Sequence, residues 1–167
     1  MEKIRSFVDS INVESKRVIL RTDFNVPIIN EIIQDKTRIN LSLPFIKNLL
    51  ERKAKLFLIS HLGRPKNKKD NKLSLKPVYN YLKDKIDNKV YFHSGKIVDG
   101  TKDKISYLNS GEIIFFENIR FNNGEIENDD NFARALSSIG EIYINDAFSC
   151  SHRKQASIHK ITKYINN

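Results

Sequence analysis

The chain has 167 residues, with 29 Lys plus Arg against 20 Asp plus Glu, a formal net charge of +9. That length supports one domain with its own core, and 40% apolar residues exclude a disordered chain. The single cysteine, Cys150, excludes an internal disulfide framework, and no apolar run has the length of a signal peptide core or a membrane span, so a soluble, cytoplasmic protein is expected.

The apolar patterning sets the elements in order. Residues 17–23, rich in branched side chains, predict a first strand. Asp35 is placed to cap a helix whose apolar positions are Ile39, Leu43, Ile46 and Leu50, with Pro44 predicting a kink or a late start. Residues 55–60 predict a second strand and 61–72 a polar loop. Ser74 then caps a helix carrying Val78, Leu82 and Ile86, with Pro77 in its first turn. Residues 89–94 predict a third strand, 102–108 a short helix and 112–118 a fourth strand. A helix over 129–139 stacks Phe132, Leu136 and Ile139, and Gly140 is placed as its C′ residue. Residues 141–146 predict the fifth strand, ahead of a short mixed segment. Alternating strands and helices, with nearly continuous apolar strands, predict an α/β fold: a parallel sheet covered by helices on both faces.

Ligands of such sheets bind beyond the carboxyl ends of the strands. The strand ends lead into Asp23-Phe24-Asn25, His61-Leu62-Gly63-Arg64, Arg120, and Arg153 beside His152. The chain uses nine arginines against twenty lysines, so arginine is the scarcer cation, and its planar fork grips carboxylate or phosphate with two parallel hydrogen bonds. Arg64, Arg120 and Arg153, with Arg38 near a helix start, therefore point to a small, doubly anionic ligand. No P-loop, dinucleotide fingerprint, nucleophile elbow or metal-spaced Cys/His cluster is present. Cys150 beside His152 reads as an inert loop thiol.

These motifs carry a resemblance. The segments Arg21-Thr-Asp-Phe-Asn-Val-Pro27, Ser60-His-Leu-Gly-Arg-Pro-Lys66, Glu117-Asn-Ile-Arg-Phe-Asn-Asn-Gly-Glu125 and Tyr143-Ile-Asn-Asp-Ala-Phe148, through His152-Arg153 to Ala156-Ser157, resemble the N-terminal domain of the phosphoglycerate kinase family. The resemblance implies phosphoryl transfer between 1,3-bisphosphoglycerate and ADP, giving 3-phosphoglycerate and ATP. It implies substrate contacts at Asp23, Phe24, Asn25, Arg38, His61, Leu62, Gly63, Arg64, Arg120 and Arg153. Within that set, His61, Arg64, Arg120 and Arg153 form a basic patch for the non-transferring phosphate and carboxyl end, and Arg38 acts catalytically on the transferring phosphoryl group. It also implies a cytoplasmic monomer with no metal site of its own and no nucleic-acid or membrane partner. Mg-ATP or Mg-ADP would be the co-substrate, held mainly by a C-terminal half that nothing in residues 1–167 matches. The expectation is thus a single, partial N-terminal phosphoglycerate-binding domain, inactive alone. Thr22, Ser149 and Gln155 depart from the family pattern, standing for an apolar residue, a glycine and a second histidine. Two other readings compete: a nucleic-acid-binding module, motivated by the basic run from Arg64 to Lys72, and a non-catalytic remnant. A basic loop without stacking aromatics reads more simply as a solvated face.

Overall fold

The computed structural model describes residues 8–65, 70–97 and 105–165. The elements are β1 (Arg17–Arg21), a hairpin of β2 (Ile28–Ile29) and β3 (Ile32–Ile33), α1 (Thr37–Glu51), β4 (Lys55–Ile59), α2 (Lys76–Lys83), β5 (Val90–His93), β6 (Ile113–Phe116), α3 (Asn123–Ile126), α4 (Asp130–Ser137) and β7 (Ile142–Asn145), with single 3-10 turns between several of them. Five strands form one parallel sheet in the order β5-β6-β4-β1-β7. All five predicted strands are present, and the parallel arrangement agrees with the α/β expectation.

Strand periodicity divides the core into two layers. Val18, Leu20, Leu56, Leu58, Ile113 and Phe115 point to one face, against α1 and α2. Ile19, Phe57, Ile59, Ile114 and Phe116 point to the other, against α4 and the C-terminal turn carrying Ile161 and Ile165. Because both faces are covered, every residue of β6 is buried, which is why the strand reads as an unbroken apolar run.

Several local expectations change. Helix α1 runs through Pro44, which is exposed, and does not start late: seven residues precede the proline. Its N-cap is Lys36, and Asp35 instead accepts the Thr37 N–H at 2.8 Å. The N-cap of α2 is likewise Leu75, with Ser74 Oγ accepting the Lys76 N–H at 3.1 Å. Asp129 does cap α4, accepting the Phe132 N–H at 2.7 Å. Gly140 is not a left-handed C′ residue, since the only described glycines with positive φ are Gly63 and Gly111. It is a clearance glycine: a Cβ there would lie 2.5 Å from Ile19 Cγ1, so a side chain would overpack the second core layer. The β2–β3 hairpin was not expected at all. Its turn residues, Asn30 and Glu31, both have positive φ (48° and 63°), the left-handed pair of a tight two-residue turn. Residues 105–107 are helical, and the rest of the predicted 102–108 helix through residue 104 lies outside the described residues, as do residues 66–69 of the basic run. Among the described residues no helix is long and apolar enough to cross a membrane.

Candidate functional site

The carboxyl ends of β1, β4, β6 and β7 face the same way, so the segments after them converge. Three polar residues bind these segments together. Asn118, fully buried, donates from Nδ2 to the carbonyls of Leu62 (2.7 Å) and Leu73 (2.9 Å), and its Oδ1 accepts from Leu62 N (3.2 Å) and Arg120 N (3.1 Å). Glu117 holds the start of α2, accepting from Leu75 N at 2.7 Å and Ser74 Oγ at 2.6 Å. Ser60 Oγ donates to Thr22 O at 2.9 Å and accepts from Phe24 N at 2.9 Å, fastening the β1 exit to the β4 exit.

Inside this frame lies a buried guanidinium wall. Arg21, at the end of β1, is fully buried. Its Nε donates to Ser157 Oγ (3.2 Å), Nη1 to Thr22 O (2.5 Å), and Nη2 to His61 Nδ1 (3.1 Å). The counter-charge is Glu125, also fully buried, reached through Ser157: Glu125 Oε1 accepts the Ser157 hydroxyl (2.7 Å) and Oε2 accepts its N–H (2.8 Å). A charge so deep persists only when paired and fully hydrogen-bonded. Arginine has no acceptor, so Nδ1 of His61 must be the acceptor, and the proton of the neutral ring is on Nε2. Burial, with the positive charges of Arg21 and Arg120, lowers the His61 pKa to about 3. His61 is therefore a neutral hydrogen-bonding group, which corrects its expected place in a basic patch: three guanidinium charges nearby forbid a fourth cation.

Arg120 stands on the 3-10 turn after β6 and is buried, with Nη1 donating to Gly63 O (2.5 Å) and Nη2 to Gln155 Oε1 (3.4 Å). Its Nε is buried without a hydrogen-bond partner. Burial, then the neighbouring charges of Arg153 and Arg21, lower its pKa. Such a cluster of cations is a poor arrangement for stability and a good one for an incoming anion. Gln155, where the resemblance expects a second histidine, is a second acceptor for Arg120 beside the Gly63 carbonyl.

The opposite wall is more open. Asp23 Oδ1 accepts the Asn25 N–H at 3.1 Å, and Oδ2 accepts Arg38 Nη1 at 2.5 Å together with the Ser149 hydroxyl. Burial opposes the Asp23 charge, but the Ser149 and Asn25 hydrogen bonds and the Arg38 charge outweigh it and hold the carboxyl below its ordinary value. Asn25 Oδ1 accepts the Gly63 N–H at 2.8 Å. Gly63 adopts φ +57°, and a Cβ there would sit 2.6 Å from Leu73 Cδ2, so a side chain at this position is strained by the backbone and would have to displace Leu73. Arg64 is exposed, and Arg153 is held through its backbone N–H to Cys150 O at 3.0 Å.

The structure thus brings Asp23, Asn25, Arg38, His61, Gly63 and Arg120 into one network. It does not bring the side chains of Phe24 and Leu62 there. Phe24 is fully buried, edge-on to Phe115 with ring centroids 5.9 Å apart, and Leu62 is buried in the same core layer. Both are anchors whose backbones shape the site, because an aromatic or branched side chain directed inward is worth more to the core than to a polar ligand. Arg21, Asn118, Glu125 and Ser157 were not singled out from the sequence as site residues. A lone arginine closing an apolar strand and a glutamate next to Gly124 were the available signals. Thr22, standing where the resemblance expects an apolar residue, donates its hydroxyl to Ile59 O at 3.3 Å. Cys150 is buried, its thiol donates to Ala147 O at 3.2 Å, and burial raises its pKa. Among the described residues no group of three or more His, Cys, Asp or Glu is placed to hold a metal ion.

A family model described as phosphoglycerate kinase matches residues 8–167. The chain is 47% identical over 158 residues to a phosphoglycerate kinase of Wolbachia sp. subsp. Drosophila simulans (strain wRi), a match covering 95% of this chain and 39% of that protein. It is 44% identical over 164 residues to the phosphoglycerate kinase of Coprothermobacter proteolyticus, covering 98% and 42%. Among solved structures it is similar to phosphoglycerate kinase from Coxiella burnetii (TM-score 0.80, 34% identity, covering 94% of this chain and 38% of that one). It is also similar to phosphoglycerate kinase from Pyrococcus horikoshii OT3 (TM-score 0.84, 28% identity, covering 95% and 40%). The chain spans 39% to 42% of the length of these curated relatives.

Proposed function

The chain belongs to the phosphoglycerate kinase family, and we propose that its site binds 3-phosphoglycerate and 1,3-bisphosphoglycerate for reversible phosphoryl transfer with ADP and ATP. Residues 1–167 would then be the phosphoglycerate-binding domain. The magnesium nucleotide is a co-substrate, held by the part of the family's length that this chain does not span. The observation that carries the reading is Arg120: a buried guanidinium with a free Nε–H, beside Arg21 and Arg153.

Phosphoryl transfer needs alignment and charge neutralisation more than covalent chemistry. Arg120 and Arg153 neutralise the non-transferring phosphate and the carboxyl end, while the Nε2–H of neutral His61 donates without adding charge. Asp23, kept ionised, accepts the glycerate hydroxyl. The acceptor carboxylate is already an anion, so no general base is needed. Arg38 leaves its contact with Asp23 to meet charge on the transferring group, a movement that its half-exposed side chain permits. The surplus of +9 assists capture of a multiply charged anion. The same reading makes the protein a cytoplasmic, glycolytic monomer acting on small molecules rather than nucleic acid.

Isothermal titration with 3-phosphoglycerate tests this directly. Binding at millimolar affinity or tighter is expected, weakened by Arg120→Ala. No heat of binding, or binding indifferent to that substitution, contradicts it.

A further inference from the structure

Ser149 is the residue of this site for which neither the fold nor the resemblance supplies a role. It occupies the middle of the 3-10 turn Phe148–Cys150 after β7. That turn is held without the Ser149 side chain. Cys150 N donates to Ala147 O (3.1 Å), Ser151 N to Phe148 O (3.2 Å), and Ala147 N to Asn145 Oδ1 (3.0 Å). The exposed hydroxyl is therefore free to serve another group, and it donates to Asp23 Oδ2, the same oxygen that takes Arg38.

We propose that Ser149 is a positioning residue: its hydroxyl fixes the Asp23 carboxylate from the β7 side, so that Asp23 stays oriented toward the substrate hydroxyl when Arg38 swings away. This rests on the reading that Asp23 accepts that hydroxyl. Three donors hold the carboxylate, each from a different segment: the Asn25 N–H from the same loop, Arg38 from α1, and Ser149 from the β7 exit. Arg38 is required elsewhere during transfer. With Arg38 gone and no Ser149, only Oδ1 would be tethered, and the carboxylate would be free to rotate about its Cβ–Cγ bond. A glycine at position 149 offers no such tether, so the serine compensates within this chain for the loss of the arginine contact. Among the described residues, Asp146 lines the same cleft of about 220 Å³ as the carboxylate and Arg38, and His61 lies neutral on the β4 side. The hydrogen bond from Ser149 also favours the ionised form of Asp23.

The test compares the full chain with Ser149→Ala and Ser149→Thr by carbon NMR titration of the Asp23 carboxyl, carried down through the acid range below its ordinary value of 3.8, and by calorimetric titration with 3-phosphoglycerate at neutral pH. Ser149→Ala should raise the Asp23 midpoint toward its ordinary value and weaken binding roughly three- to tenfold, the net contribution of one ordinary hydrogen bond, because Ser149 acts on the ligand only through the Asp23 carboxylate. Ser149→Thr, which keeps the hydroxyl, should restore both. An unmoved midpoint, or unchanged affinity in Ser149→Ala, overturns the positioning role alone. A chain that binds no 3-phosphoglycerate in any variant overturns the functional reading and the positioning role with it, even where the midpoint moves.

Discussion

The two walls of the site solve opposite problems with the same residue types. On one, Arg21, His61 and Arg120 are buried, and their geometry is fixed by Ser157, Thr22, Gly63 and Gln155 before any ligand arrives. On the other, Asp23 and Arg38 pair with each other, with Arg38 about half exposed and free to change partner. The buried wall contributes preorganisation at a cost in stability, since its cations repel. The open wall costs little and contributes movement. On the proposed reading, fixed charges would suit the part of a substrate that stays still, and mobile ones the part that reacts.

Glu125→Ala breaks the buried wall most severely. It leaves Arg21 without its counter-charge and Ser157 without its acceptor, so chemical denaturation should show a loss of about 3–5 kcal/mol. A loss under about 1 kcal/mol would mean that the buried charges are not coupled through Ser157. Next comes a contrast in binding. Arg120→Ala should weaken 3-phosphoglycerate binding about 100-fold, near 2.7 kcal/mol, and exposed Arg64→Ala by less than about tenfold. Equal effects would erase the distinction between preorganised and mobile cations.

Acid separates the walls by pH. The unfolded chain protonates His61 near 6.5, but the folded chain refuses that proton until about 3. The unfolded state thus binds more protons in that window, and stability falls as pH drops through it, by at most about 1.4 kcal/mol per unit. His61→Asn should flatten the slope. Asp23 works lower down: its depressed carboxyl contributes stability above its unfolded value of 3.8, lost as pH falls through the folded midpoint. The smallest effect calibrates the rest. Lys16→Ala removes an exposed contact to Glu141 (3.3 Å) far from either wall and should change stability by less than about 0.5 kcal/mol.

Which features were legible follows from what their signals mean physically. The strands of the sheet are runs such as 113–116 whose composition leaves few alternatives, and the helix faces repeat at helical spacing. The β2–β3 hairpin was hidden because Asn30-Glu31 lacks the glycine that usually announces a two-residue turn. Gly140 has the sequence look of a helix terminator, but its requirement is Ile19, more than a hundred residues away in the chain. In the site, Arg120 and Arg38 were readable because arginine at a strand exit or helix start has a chemical meaning by itself. The neutrality of His61 was not, because it depends on burial of the ring and on Arg21 packing against its Nδ1. Ser149 reads in the sequence only as a departure from glycine; the approach of the β7 turn to Asp23 gives it a partner.

The central claim is that a buried, preorganised guanidinium wall receives the anion. Proton–nitrogen NMR of the arginine Nε–H groups during titration with 3-phosphoglycerate tests it most directly. The Arg120 Nε–H, without a partner in the free chain, should shift downfield and become protected from exchange at saturating ligand, while the His61 ring stays neutral. An Arg120 signal that does not move while Arg38 and Arg64 respond would place the ligand on the open wall and contradict the account.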